Sequence, residues 1–536
     1  YVHDTDSTGF ATVDGSGTGY NFKTVQSMIN YALLNSGAGD QTGISTELHV
    51  RNTTEFLSCW YVDDSFATPT VIDGNNTTTF IIAGVSQEAF LPTNLILKNC
   101  KIKMFNSGSY ATSFRAKGNS RYENVTFSNY SSEFGTFYAN YPINSSGSVS
   151  YSECTFFINK ASASIYSNPR LKEIHHIISE VDGDGTISFE NCRFTAAGTI
   201  SEAGFGPSLL MISDTTSGGS VIVKDCKFNG EYTHAIASDV NNSNITIDGC
   251  TLNTSHDYTV GVANYPSDIT DILKAIDGEI YWYDNYGSGV NANKSSNINI
   301  TNNKFITATT NQCPKILIEV FRSVDSFNSD AALVIENLNI SNNKFYDVFE
   351  TTNAMIAIVN KSISGETNIY FNGTAPHAFP FILNNLTIEN NKAYVTGNAF
   401  ADSPVNSKSI VIAGITHQKS FVFNNCEIKN NFCQRLGIFG WQKSGTSDTP
   451  GSNIVISNNN IDYIHISDTN GFDSPLESTS PSVPLWANNT IHYGLNDFIM
   501  DYSIHNNTLS WLSTAVSSNI DMKSKIENNT FEYKNS

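Results

Sequence analysis

Apolar and polar residues alternate in short runs along most of the chain, as at Ile245-Thr246-Ile247 and Ile298-Asn299-Ile300. A period of two is that of a strand with one face in a core. Each run closes on Asn, Asp or Gly, and an apolar position returns just beyond, at Leu252 and Phe305 in these two cases. The pattern therefore predicts a strand, a sharp corner and a second strand.

This unit recurs fourteen times, reading LKNCKI from Leu97, YSECTF from Tyr151, ITNNKF from Ile300 and IENNTF from Ile526 among its copies. Its fourth positions are Cys100, Val125, Cys154, Cys192, Cys226, Cys250, Asn303, Asn343, Asn391, Cys426, Asn459, Asn489, Asn507 and Asn529, spaced by 18 to 53 residues. The residue before them is Asn, Asp or Gly in thirteen copies, with Glu153 the exception. Those residue types tolerate the left-handed backbone conformation, which marks a bend repeated on every turn.

Strands repeating at variable spacing, with corners in register and no long amphipathic helices between them, describe an all-β, right-handed parallel β-helix, a solenoid whose coils pair at about 4.8 Å. A chain of 536 residues is then one long repeat rather than several ordinary domains. Equivalent side chains stack in files. In the Asn file, buried amides are expected to satisfy one another and the corner backbone. Six of the nine cysteines fall on the file, which points to small buried thiols rather than a disulfide framework.

Residues 1–40 read as a Gly-rich turn followed by a capping helix whose apolar face is Val25, Met28, Ile29, Ala32 and Leu33. Residues 41–536 read as the β-helix, with major insertions at about 253–296, 306–336 and 346–384. Loops between monotonous coils are free to vary, so binding and catalysis are expected on those excursions.

Charge narrows the partners. Lys and Arg number 30 against 50 Asp and Glu, a net charge of −20, and no basic run suits a phosphate backbone, so nucleic acid is not an expected partner. Apolar runs such as 409–414 fall short of the roughly 20 residues that cross a bilayer, so no membrane span is expected. Gly15, Gly17 and Gly19 precede the helical pattern but lack the βαβ context of a dinucleotide loop. The VDGDG stretch at 181–185 opens like a calcium loop without its remaining ligands, so neither a cofactor nor a metal is expected. Serine-hydrolase elbows, zinc-binding helices and paired Cys-X-X-Cys motifs do not occur, which leaves carboxylate chemistry or none.

The first excursion holds DGEIYWYDNYG, Asp277 to Gly287. In an extended conformation Asp277, Glu279, Tyr281 and Tyr283 share one face, and Ile280 and Trp282 the other. Carboxyls at i and i+2 lie about 7 Å apart, which leaves room for a water between an acid and a base in inverting glycoside hydrolysis. Asp277 and Glu279 are the candidate catalytic pair. Tyr281, Trp282, Tyr283 and Tyr286 offer flat apolar faces with polar tips suited to pyranose rings. The same aromatics also fit a small core of their own, with the acids merely solvated. Further acids on the excursions are Asp268, Asp271, Asp284, Glu319, Asp325, Glu350 and Glu366.

Two resemblances follow. The opening DGSG with TVQ resembles the entry segment of pectin methylesterases, which share the β-helix fold, but the Asn496 to Ile499 stretch matches that family's Asp-Phe-Ile-Phe-Gly element only in part, and esterase activity is not carried over. As a whole, the acidic, Asn-rich chain resembles pectin-lyase-like β-helices and in particular phage tailspike shafts. That resemblance implies an extracellular or virion-surface location, a bacterial polysaccharide or cell-surface glycan as partner, and a homotrimer. A depolymerase of this type is expected to be a glycoside hydrolase rather than a lyase. A different class, a non-catalytic adhesin or structural protein of a cell or virion surface, fits the same repeat. The start at Tyr1 suggests a processed chain or an excised fragment, and the end at Ser536 suggests a removed or externally covered cap.

Overall fold

A computed structural model describes the strands from Val2–Asp4 to Thr530–Phe531 and the short corners joining them. The longer connections lie outside the described residues, and so do residues 23–46, where the capping helix is expected. All described elements are strands. Among the described residues no helix is long and apolar enough to cross a membrane. The chain divides into two units, one of Tyr1–Ile236 with Asn253–Ser255 and one of Ala237–Leu252 with His256–Ser536.

The architecture in each unit is the right-handed parallel β-helix that the alternation predicts. Each coil contributes three strands. In the first unit the strand before the corner runs through Ser148–Ser152, Thr186–Glu190 and Ser220–Lys224, paired in parallel. The strand after the corner runs through Thr155–Asn159, Arg193–Ala197 and Lys227–Gly230. A third face comprises Phe137–Asn140, Ile177–Glu180 and Ser208–Ser213. Near the start of the chain, Val2–Asp4, Ala11–Val13 and Tyr20–Phe22 pair antiparallel, so the Gly-rich stretch 14–19 connects two antiparallel strands.

The corners take the strained conformation that their sequence allows. Asn99, Asn124, Asn191, Asp225, Asn302, Asn342, Asn390, Asn430, Asn458, Asn506 and Asn528 all have φ between 51° and 58°, and Gly249 has 67°. Glu153, the one corner residue of another type, adopts φ 55° as well. Neighbouring coils impose this: its N–H donates to the carbonyl of Glu190 at 2.9 Å, while the carbonyl of Cys154 accepts from Arg193 at 2.8 Å.

The core of the first unit is aromatic. Tyr122, Tyr151 and Phe189 form one file with ring centroids 4.9 Å apart. Phe127, Phe156, Phe194 and Phe228 form a second, 4.6 to 4.9 Å apart, and the two files meet edge to face. In-register strands stack equivalent rings at the strand spacing, so burial and aromatic contact reinforce each other. The second unit carries an aliphatic file, Ile300, Ile340, Ile388, Ile428 and Ile456, in register and fully buried, beside the stacked buried pair Phe305 and Phe345.

Beside that isoleucine file runs the asparagine file. Asn343 is representative. Its Oδ1 accepts from the backbone N–H of Asn303 at 3.0 Å and from Asn303 Nδ2 at 3.1 Å. Its own Nδ2 donates back to the Ile300 carbonyl at 2.9 Å and forward to Asn391 Oδ1 at 3.0 Å. Two donors and two acceptor sites are thus all used, which is what complete burial demands. The chain of amides continues through Asn391, Asn431, Asn459 and Asn507 to Asn529.

Two of the fourteen expected positions change. The file passes through Asn431 rather than Cys426, which lies within strand Cys426–Lys429 in register with Leu386. This coil carries two Asn pairs, at 424–425 and 430–431, and only the second forms the corner, with Asn430 at φ 57°. Asn459 donates directly to Asn507, so Asn489 is not a rung between them, and it lies outside the described residues.

The cysteines of the first unit do part of the same work. The thiols of Cys154, Cys192 and Cys226 donate to the carbonyls of Tyr122, Tyr151 and Phe189 at 3.3 to 3.5 Å, the carbonyls equivalent to that of Ile300. A thiol therefore replaces the backward donor of the amide. All seven described cysteines are free and buried.

Candidate functional site

The aromatic stretch is part of the repeat. Residues Ile280–Asn285 form a third-face strand that pairs in parallel with Ile316–Phe321, which pairs with Ala354–Asn360, which pairs with Ser409–Gly414. Each of the three expected insertions thus contains a regular strand of the coil. The physical reason is that the third face has no Asn corner to announce it, and its position within the coil shifts with connection length.

Register sets the neighbours of the stretch. Ile280 and Trp282 pair with Ile316 and Ile318, while Tyr281 and Tyr283 pair with Leu317 and Glu319. The alternation expected within this strand is therefore in phase with the next coil, and Glu319, one of the acids on the excursions, has Tyr283 as its cross-strand neighbour. Asp277, Glu279 and Tyr286 lie outside the described residues, as do Asp268, Asp271, Asp325, Glu350 and Glu366. On the adjoining coils Ile316, Leu317, Ile318, Ile356, Ala357 and Ile358 are all fully buried, so consecutive residues on both sides of these strands are out of water.

Carboxylates elsewhere are engaged in holding coils together. Asp248 accepts from Thr301 Oγ1 at 2.7 Å and Asn302 Nδ2 at 2.6 Å, and Glu336 accepts from Asn384 Nδ2 at 2.6 Å. Glu427 lies 2.7 Å from Lys429 Nζ, with Glu389 at 3.7 Å. The hydrogen bond to Glu427, helped by the charges of Glu427 and Glu389, holds the Lys429 ammonium protonated to higher pH than usual. Buried thiols are equally unsuited to chemistry. Burial pushes Cys100, Cys192 and Cys426 well above the usual thiol range, so they stay protonated at neutral pH rather than serving as nucleophiles. Among the described residues no group of three or more His, Cys, Asp and Glu could hold a metal ion.

The structure also gathers a feature that the linear sequence hides. Lys304, Lys344 and Lys392 occupy one outward file of the second unit, 40 and 48 residues apart in the chain but paired in register. The signal for it was present in the repeats NKF, NKF and NKA at these copies.

No protein-family model, no curated protein and no solved structure matches the chain.

Proposed function

We propose that this β-helix recognises a surface glycan, in the manner of a tailspike shaft, and cleaves it by carboxylate acid/base chemistry centred on strand Ile280–Asn285. The observation that supports this reading is the register that sets Glu319 beside Tyr283 on a strand carrying Tyr281 and Trp282. Aromatic side chains next to carboxyls are what pyranose binding and glycosidic protonation require. Asp277 and Glu279 act as the acid/base pair, Tyr281, Trp282, Tyr283 and Tyr286 as the sugar platform. The setting is extracellular or a virion surface, with a homotrimer as the assembly that a tailspike resemblance implies.

A second reading, a non-catalytic adhesin or structural shaft, draws support from another observation. Ile316, Leu317 and Ile318, the register neighbours of 280–282, are completely buried, and that favours a packing role for this part of the coil.

Incubation with capsular and lipopolysaccharide panels separates the readings. New reducing ends without unsaturated-uronate absorbance identify a hydrolase, and the same ends with that absorbance a lyase. Binding without either product supports the adhesin. Neither binding nor cleavage across a panel that includes the native host glycan overturns the glycan reading.

A further inference from the structure

The strand face after the corner carries a file of lysines in the unit made of Ala237–Leu252 and His256–Ser536. Lys304 and Lys344 are exposed and Lys392 half-buried, each the cross-strand neighbour of the next. Like charges directly opposite one another, about 4.8 Å apart, oppose pairing. Among the described residues none of the three is ion-paired. The first face of the same unit behaves differently, since Glu389, Glu427 and Lys429 on adjacent coils neutralise one another. In a chain of net charge −20, continuing the lysine file through Phe432 and Asn460 meets no carboxylate. The equivalent file of the first unit runs from Glu55 through Thr79, Lys101, Thr126, Thr155 and Arg193 to Lys227, so its basic residues are interrupted by threonines and it begins on an acid, unlike the continuous lysine row.

Beside the lysines stands a row of aromatics. Tyr346 and Tyr394 stack with centroids 4.8 Å apart and planes 10° from parallel, and Lys304 Nζ lies 4.9 Å from the centre of the Tyr346 ring. Tyr394 is 38 % and Phe432 37 % exposed, unusual for large apolar rings among the described residues. We infer that this face binds an acidic polysaccharide running along the coils, its carboxylates meeting Lys304, Lys344 and Lys392 and its sugars lying against Tyr346, Tyr394 and Phe432. The inference rests on the glycan reading above and names the class of glycan.

Single-stranded nucleic acid binds by stacking bases on open aromatic faces. Here Tyr346 and Tyr394 cover one another, so the pair offers ring edges and hydroxyls, which suit sugar hydroxyl groups better than bases.

The test measures binding of the whole chain to polygalacturonate, alginate and hyaluronan. Fully methyl-esterified polygalacturonate serves as the neutral control, and oligodeoxythymidylate as the other polyanion. At least one acidic polymer is expected to bind, weakening as salt rises, with the esterified polymer and the Lys304→Gln/Lys344→Gln/Lys392→Gln variant each weaker by roughly ten-fold or more. Circular dichroism checks the fold of the variant, and Lys344→Gln alone, with a smaller loss in the same direction, is the second reading should the triple variant misfold. Equal binding of the esterified polymer, unchanged binding by a folded variant, or oligodeoxythymidylate bound as tightly would overturn the inference. So would binding only of neutral glycans, which leaves the glycan reading standing. Failure of all three acidic polymers overturns the inference, whereas the glycan reading falls only if the panel that includes the native host glycan is left unbound and uncleaved as well.

Discussion

The side-chain amide of Asn343 donates to Oδ1 of Asn391 at 3.0 Å while its own Oδ1 accepts the backbone N–H of Asn303 at 3.0 Å. One residue thereby links three successive coils, and it does so with no hydrogen-bonding capacity left over.

Truncating it should therefore cost more than an ordinary buried contact. Asn343→Ala strips partners from the Asn303 N–H, Asn303 Nδ2 and the Ile300 carbonyl together. A loss of about 2–4 kcal/mol is expected, read as a shift in the urea unfolding midpoint. Asn343→Cys should recover part of it, because a thiol at the equivalent place in the first unit donates to the equivalent carbonyl.

Glu153 holds φ 55° without the local advantages of Asn or Gly. Its side chain is exposed, so replacement removes strain and little else. Glu153→Asn or Glu153→Gly should stabilise the fold by roughly 0.5–1 kcal/mol, measured by thermal unfolding. A destabilised variant would show that the carboxylate has a role of its own.

The raised thiols make stability depend on pH with a definite sign. Burial lifts Cys100, Cys192 and Cys426 above their unfolded values, so the folded chain keeps protons that the unfolded chain gives up. Their contribution is complete below the ordinary thiol pKa of about 8.5 and declines as pH rises beyond it. Tyr122 and Tyr151, raised by the same burial, extend the decline above about pH 10. The unfolding midpoint should fall steadily from pH 8 to pH 10.5, and at about pH 8 these thiols should resist maleimide until denaturant is added.

Much of this fold was legible because a left-handed corner restricts residue type. Eleven of the thirteen copies with Asn, Asp or Gly before the fourth position bend there in the left-handed conformation, and even Glu153 bends as its position demands. Where two Asn pairs fall on one coil the rule is ambiguous. Setting FNNCEIKNNFC beneath LNNLTIENNKA would have chosen Asn431 over Cys426, as the register does. The third face was harder to see, since strand Ile280–Asn285 follows no fixed interval from the corner and its aromatics read as an insertion. The lysine row was present as NKF, NKF and NKA at three copies, but its members become neighbours only when coils stack. Of the site itself, the sequence supplied the aromatics and Glu319 as separate candidates, and pairing supplied the adjacency of Tyr283 and Glu319.

The central claim, that carboxylates beside this third-face strand cleave a glycan, is tested most directly by comparing Asp277→Asn and Glu279→Gln with the unaltered chain. The substrate is whichever surface polysaccharide the unaltered chain cleaves, and melting temperature is followed in parallel. Removing a general acid or base should lower the rate of new reducing ends by about 10²–10⁴-fold, with binding and melting temperature unchanged. Normal cleavage by both variants, or no cleavage of any bound glycan by the unaltered chain, would contradict it.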